Sequence, residues 1–431
     1  MTSEQAREST AKQFIDKETA ICIAENIGTP VYVYREDLLR ANAQAVLNFP
    51  NAFGFTPRYA MKANSNGTIL RLFNQMGLQI DASSHYEVMR AMMAGIPAEQ
   101  IQLTAQLIPR GKKLEELITM GVRINACSLS QLEDIGKVTP GSEISVRINP
   151  GTGSGHCNRT NTGHERSSFG IWYDLVPKIK EIAGRYGLRI SRMHTHIGSG
   201  SDPQIWKDVA KLSLGWATEF PDVQTLNLGG GFKVGRMPGE KTTDLQDCGQ
   251  TIRDEFIDFY QSTGRQLHLE IEPGTYLVAN AGAVLSRVED VVSTDIWDFL
   301  KIDTGMTELT RISMYGAQHP ITIIPKDNSP RRQADYIVVG KCCETGDTMT
   351  PEPGNPEESV SRNMLQARRG DLVIIGGAGA YCASMSTKNY NSFPEAPEVL
   401  IGVDGKVDLI REREELSELL RHEKVPERFI R

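Results

Sequence analysis

The sequence has no apolar stretch long enough to span a membrane, so a membrane protein is not expected. It also lacks a basic excess. Its 47 Lys and Arg residues stand against 54 Asp and Glu, a net charge of -7, and the basic residues are scattered. A nucleic-acid partner is therefore not expected. Cysteine is scarce: seven in 431 residues, with Cys342 and Cys343 adjacent and no spacing of the metal-binding type. That pattern gives neither a disulfide framework nor a metal site, and it suits a reducing compartment. The opening Met1-Thr2-Ser3-Glu4-Gln5 lacks the charged-then-apolar order of a secretion signal, so the expected location is the cytoplasm.

What the sequence does have is a recurring strand ending. The run Arg58-Tyr59-Ala60-Met61-Lys62 reads as a buried strand whose last residue is an amine. Seven more endings follow, at Asp81, Thr104, Asn125, Asn149, His196, Gly229 and Glu272, with helix-like stretches between them. This is the alternation of a (β/α)₈ TIM barrel, expected over residues 36–280. After Gly282 short strand-like runs take over at Val284–Val288, Phe299–Asp303, Tyr336–Val339 and Leu372–Ile375. They predict a second, mostly β domain built from residues 281–431 together with residues 1–35. A helix is expected over Ala11–Ile27, and a charged, solvated helix over Arg411–Lys424. The Gly-, Ser-, Thr- and Asn-rich stretch Pro150–Ser168 has no apolar period and reads as a candidate lid.

In a barrel the strand ends share one face, so Lys62, His196, Gly229–Gly231 and Glu272 are expected to meet. Each has a plain reading and a chemical one. Lys62 is either a rim salt bridge or a Schiff-base lysine. Gly229, Gly230 and Gly231 form either a tight turn or an anion cradle, since backbone N–H groups without Cβ atoms can close around a phosphate. Glu272 either caps a turn or holds a protonated ring nitrogen. His194 and His196 point the same way on a strand, but the run Met193–Ser199 brings no acidic or thiol third ligand, so no metal is expected. The thiol of Cys343, beside Glu344 and Asp347, is either inert or a proton donor.

Taken together, Tyr59-Ala60-Met61-Lys62-Ala63-Asn64, His196-Ile197-Gly198-Ser199, Gly229-Gly230-Gly231, Glu272-Pro273-Gly274, Cys343-Glu344-Thr345-Gly346-Asp347 and Gly379-Ala380-Tyr381 occur in the order seen in one known family. The chain resembles the alanine-racemase-like barrel decarboxylases, and among them the branch acting on diaminopimelate. The resemblance implies pyridoxal 5'-phosphate as cofactor and an amino acid as substrate. It implies that Lys62 carries the cofactor, that His196 stacks on its ring and that Glu272 pairs with its nitrogen. Ser199, Gly229 to Gly231 and Tyr381 would hold the phosphate. Arg311 and Tyr315 would clamp a substrate carboxylate, and Glu344 would meet the distal ammonium. Cys343 would come from the partner chain of a homodimer with shared sites and protonate the product carbanion. The loop carrying His156 corresponds to the family's mobile loop.

One departure bears on substrate. Thr275 stands where that branch typically has an arginine, so the site is short of one cation. Arg159, Arg166 and Lys388 are candidate replacements, and another amino acid is the alternative substrate. A non-enzymatic binding protein is a further alternative, against which Lys62 and Cys343 both speak.

Overall fold

The computed structural model describes residues 14–151, 167–196 and 202–430. Eight short strands, in which apolar and polar residues alternate, form a closed parallel ring. They are Phe55–Ala60, Gln79–Ala82, Ile101–Thr104, Arg123–Ala126, Glu143–Asn149, Arg189–Thr195, Thr225–Asn227 and His268–Ile271. The eighth pairs with the first, which closes the barrel. Helices start where polar side chains cap them: Ser84 and Ser128 accept from the N–H groups of Glu87 and Gln131.

The alternation sorts the barrel into two surfaces. Tyr59, Ile80, Leu103, Ile124, Val146, Met193, Leu226 and Leu269 are buried and apolar. Their strand neighbours Arg58, Asp81, Gln102, Asn125, Ser145, Asn227 and Glu270 are buried and polar. Hydrogen bonds across the barrel show that the polar set fills its interior. Arg58 Nε and Nη2 donate to Glu270 at 3.0 and 2.9 Å. Arg192 Nη2 also donates to Glu270, and Arg123 lies 3.8 Å from it. Burial alone would raise the Glu270 carboxyl, but Arg58 and Arg192 outweigh it and hold the carboxyl down to about 2.

The chain folds as two compact units. The barrel unit is Leu38–Gly235 with Gly239–Val278, and the second unit is the described part of Met1–Asp37 with Arg236–Pro238 and Ala279–Arg431. The second unit is built on a nine-stranded sheet whose main path runs Arg362–Leu365, Gln333–Val339, Asp298–Ile302, Gly282–Ser293, Val31–Arg35, Glu398–Ile401, Val407–Arg411. Gly282–Ser293 also pairs with Leu372–Ile375, which in turn pairs with Ile321–Ile324. The helix Lys17–Asn26 covers this sheet, with Ile23 and Ala24 packed into a core with Val31, Val33, Leu285, Ile374 and Val399.

Several local expectations change. Lys62 is not the last residue of the strand, which ends at Ala60; it sits in a 3-10 turn, Met61–Ala63. The first helix begins at Lys17, because Asp16 accepts from the Thr19 N–H and ends the preceding chain there. The tail is not one helix from Arg411. The alternating run Val407–Arg411 pairs antiparallel with Glu398–Ile401, and only Leu416–Leu420 is α-helical. Arg411 is partly buried and bonds Glu395 at 2.7 Å. The strands Ile321–Ile324, Arg362–Leu365 and Glu398–Ile401 were not expected as strands, since none is long enough to show a pattern without its partner. Most of the Pro150–Ser168 stretch, with its lid role, lies outside the described residues.

The Glu270 cluster generates a stability prediction. Its folded carboxyl lies below the ordinary 4.5, so it stabilises the fold above pH 4.5 and the contribution is lost as pH falls toward 2. The loss amounts to roughly 3 kcal/mol. Glu270→Gln, which leaves the buried Arg58 and the part-buried Arg192 without their anion, should cost about 3–5 kcal/mol at neutral pH in urea unfolding. Its stability should also fall less steeply between pH 4.5 and 2 than that of the unmutated protein.

Candidate active site

At the C-terminal ends of the barrel strands the interior closes on one carboxylate. Glu272 follows the eighth strand and is 6% exposed. Its Oε1 accepts from Gln102 Nε2 and Asn227 Nδ2, both at 2.8 Å. Its Oε2 accepts from His194 Nε2–H at 3.1 Å. Burial opposes its charge, but His194, which bonds it, and then the Lys62 charge outweigh burial and hold the carboxyl well below the ordinary range. Asp81, at the end of the second strand, goes the other way. Its burial and the charge of Glu272 raise it well above the usual value, against the pull of Lys62 and the bond from Thr104 Oγ1 at 2.9 Å. One carboxylate of the pair therefore keeps its charge and the other is driven toward the neutral acid.

Lys62 is exposed, between buried Met61 and Ala63. Its charge reaches Asp81, Glu87, His194, His196 and Glu272. His196 is kept neutral by loss of water around its ring, reinforced by the nearby cations Arg147 and Lys62. Its Nδ1 accepts from the Gly230 N–H at 3.0 Å, so the ring proton is on Nε2. Gly229 and Gly231 have φ of 71° and 110°. A Cβ on Gly229 would stand 2.4 Å from His196 Nδ1, and one on Gly230 would stand 2.1 Å from the Glu272 carbonyl oxygen. Only glycine fits this turn. Lys62, His196, Gly229–Gly231 and Glu272 are thus brought together. Ser199 and His156, with Arg159 and Arg166, lie outside the described residues.

Four barrel residues of this site were given no role from sequence: Asp81, Gln102, Asn227 and Arg147. Arg147, on the fifth strand, is 3% exposed, with its guanidinium 3.8 Å from the Phe169 ring centroid. Burial lowers its pKa, and its Nη2 has no hydrogen-bond partner among the described residues. All four occupy strand positions that alternate with apolar ones, which was the available signal. No group of three or more His, Cys, Asp or Glu is placed to hold a metal among the described residues.

The remaining candidates belong to the second unit. Arg311 and Tyr315 lie one turn apart on the helix Met306–Tyr315. Arg311 Nη1 donates to His319 at 2.6 Å. Cys343 is exposed; its backbone N–H donates to Asn391 Oδ1 at 3.2 Å, and Asn391 Nδ2 donates to its sulfur at 3.4 Å. Glu344 accepts from the Tyr390 hydroxyl. Both residues line a cavity of about 1160 Å³, with Trp297, Phe299, Lys341 and Phe393. Tyr381 has φ of 56°, a costly conformation for a tyrosine and one concentrated at functional sites. Lys388 is engaged with Glu395 at 2.6 Å.

Residues 36–279 match the family of the pyridoxal-dependent decarboxylases, through their pyridoxal binding domain. Diaminopimelate decarboxylase of Escherichia coli (strain K12) is 34% identical over 94% of this chain and 96% of its own. A crystal structure of a diaminopimelate decarboxylase matches 96% of this chain and 98% of its own, at 33% identity and a TM-score of 0.87. The Helicobacter pylori diaminopimelate decarboxylase complexed with L-lysine matches 93% and 98%, at 27% identity and a TM-score of 0.80. The chain belongs to the pyridoxal-dependent decarboxylase family.

Gly230→Ala tests the cradle. The added Cβ collides with the Glu272 carbonyl and must shift the turn. Most of the bound pyridoxal phosphate should be lost on desalting, as read from its absorbance, while thermal melting still shows a folded protein. Full retention would make the turn merely structural.

Proposed function

We propose that this pyridoxal-dependent enzyme removes one carboxylate of meso-diaminopimelate as CO₂ and leaves L-lysine. The observation that carries the reading is the buried, charged Glu272 carboxylate with the Lys62 amine and the Gly229–Gly231 turn around it. The full-length relatives of consistent name support the substrate.

The residues fit the cofactor. A turn that excludes side chains suits a phosphate, and Arg147, with an unpartnered buried Nη2, suits an anionic group. Bound pyridoxal phosphate supplies an electron sink for the pair left behind when CO₂ departs. Lys62 holds the cofactor through its amine. Glu272, kept ionised by His194, holds a proton on the ring nitrogen. His196, kept neutral, would stack on the ring without adding charge. Gly229 to Gly231, with Ser199 and Tyr381, hold the phosphate. Arg311 and Tyr315 bind a substrate carboxylate, the guanidinium fork suiting its two oxygens. Glu344 meets the distal ammonium. Cys343 gives a proton to the carbon that has lost CO₂, so a C–H bond replaces the C–C bond. Its exposed position in the lining of a large cavity supports a role toward a second copy, in a homodimer with shared sites.

Pure protein given pyridoxal phosphate and meso-diaminopimelate should release CO₂ and lysine in equal amounts, and more slowly or not at all with ornithine, arginine or lysine. Absence of CO₂ from diaminopimelate would overturn the reading; a faster rate on another amino acid would transfer it to that substrate. Cys343→Ala should keep the cofactor and lose ~10²–10⁴ in turnover, the usual cost of a general acid. Mixing inactive Lys62→Ala and Cys343→Ala chains should restore part of the activity. If chains exchange and nothing returns, the sites are not shared.

A further inference from the structure

The helix Met306–Tyr315, which carries Arg311 and Tyr315, starts behind Gly305, a residue without a side chain to cap it. A carboxylate from far along the chain does so instead. Asp347 is 1% exposed, and its Oδ1 accepts from the Met306 N–H at 2.5 Å. Its Oδ2 accepts from the N–H of Cys342, the residue before Cys343, at 2.7 Å. The Asp347 backbone closes the same segment: its carbonyl accepts from the Gly340 N–H at 2.7 Å, and its N–H donates to the Glu344 carbonyl at 3.2 Å. One side chain thus joins the first turn of the Arg311 helix to the turn that bears Cys343 and Glu344. Glu308, also in that first turn, adds a second tie, accepting from the Gly305 N–H at 3.1 Å and from Lys341 Nζ at 2.8 Å. All of these residues belong to the second unit.

The carboxylate fits a slot between two glycines. A Cβ on Gly305 would stand 2.4 Å from Asp347 Oδ2, and one on Gly340 would stand 2.3 Å from the same atom. Neither glycine has a positive φ, so close approach and not backbone conformation requires them. Burial raises the Asp347 carboxyl against the pull of the Cys342 and Met306 bonds. The far side of the turn is held as well. Asn391 and Tyr390 bond Cys343 and Glu344, and Thr387 Oγ1 donates to the Met306 carbonyl at 3.1 Å.

We propose that Asp347 is a positioning residue for the reaction: it fixes the turn of Cys343 and Glu344 relative to the helix of Arg311 and Tyr315. It acts through backbone N–H groups and touches no substrate. This rests on the roles given to those four residues above.

Three variants of the full-length holoenzyme test it. Asp347→Asn keeps the shape but turns one acceptor into a donor facing an N–H. Gly340→Ala keeps the charge but crowds the carboxylate out of its slot. Asp371→Asn is the control, a carboxylate of the same unit that is 2% exposed and accepts from the Lys326 and Arg368 N–H groups at 2.9 and 2.7 Å. Native alkylation with iodoacetamide, read by peptide mass spectrometry, compares Cys343 with Cys22, which is also exposed. The first two variants should alkylate Cys343 about 10- to 100-fold faster relative to Cys22, the range for a hydrogen bond to a charged group. Their kcat should fall by about 10²-fold, as for a displaced reacting group, with pyridoxal phosphate retained. The control should change neither ratio nor kcat. An unchanged or slower Cys343, or a faster one with unchanged kcat, overturns the proposal. So does an equal effect in the control, or unfolding of both test variants where the control stays folded. Failure of the unmutated enzyme to release CO₂ is a different result: it rejects the reaction, while the Cys343 comparison still decides whether Asp347 holds the turn.

Discussion

The structure depends on keeping one carboxylate charged inside a barrel. Burial alone would protonate Glu272, because a carboxylate taken from water loses its hydration. Three neutral donors, Gln102, Asn227 and His194, replace that hydration, and Lys62 and His196 lie close by. Asp81 takes up the opposite burden and is driven toward its neutral form. A permanent anion is what the proposed role of Glu272 requires, and the hydrogen bonds that keep it charged are all made by the barrel itself.

Beneath this carboxylate lies a second ionic layer, Glu270 with Arg58 and Arg192. The layers are linked, since Asn227 Nδ2 reaches Glu270 at 3.4 Å as well as Glu272. A barrel interior of this kind is poor at gaining stability from apolar packing, which is left to the opposite faces of the strands. In return it fixes polar side chains from several strands with little freedom, as electrostatic catalysis requires.

The second unit works by the same economy of backbone. Glycines at 376 and 377 let carbonyls reach His319 and Arg236, and Tyr381 stands a few residues on in a strained conformation. Short strands, unremarkable alone, are held by a long one, Gly282–Ser293, which pairs with three others. The helix Lys17–Asn26 closes the core of this unit against strands that include Glu398–Ile401.

By itself the sequence determined the barrel, because a short strand followed by a helical stretch recurs eight times and each instance is readable locally. It also pointed to Lys62, Gly229–Gly231 and Glu272 as neighbours, because strand ends of one barrel share a face. The tertiary structure alone decided which neighbours surround them. Asp81, Gln102, Arg147, His194 and Asn227 are ordinary polar residues in sequence, and their meaning comes from closure of the ring, which joins strands up to 170 residues apart. The turn at Lys62, the strand at Val407–Arg411 and the pairing of Arg311 with His319 were likewise settled by partners distant in sequence or by a backbone bend. A local pattern records which face a residue presents; it does not record what stands opposite.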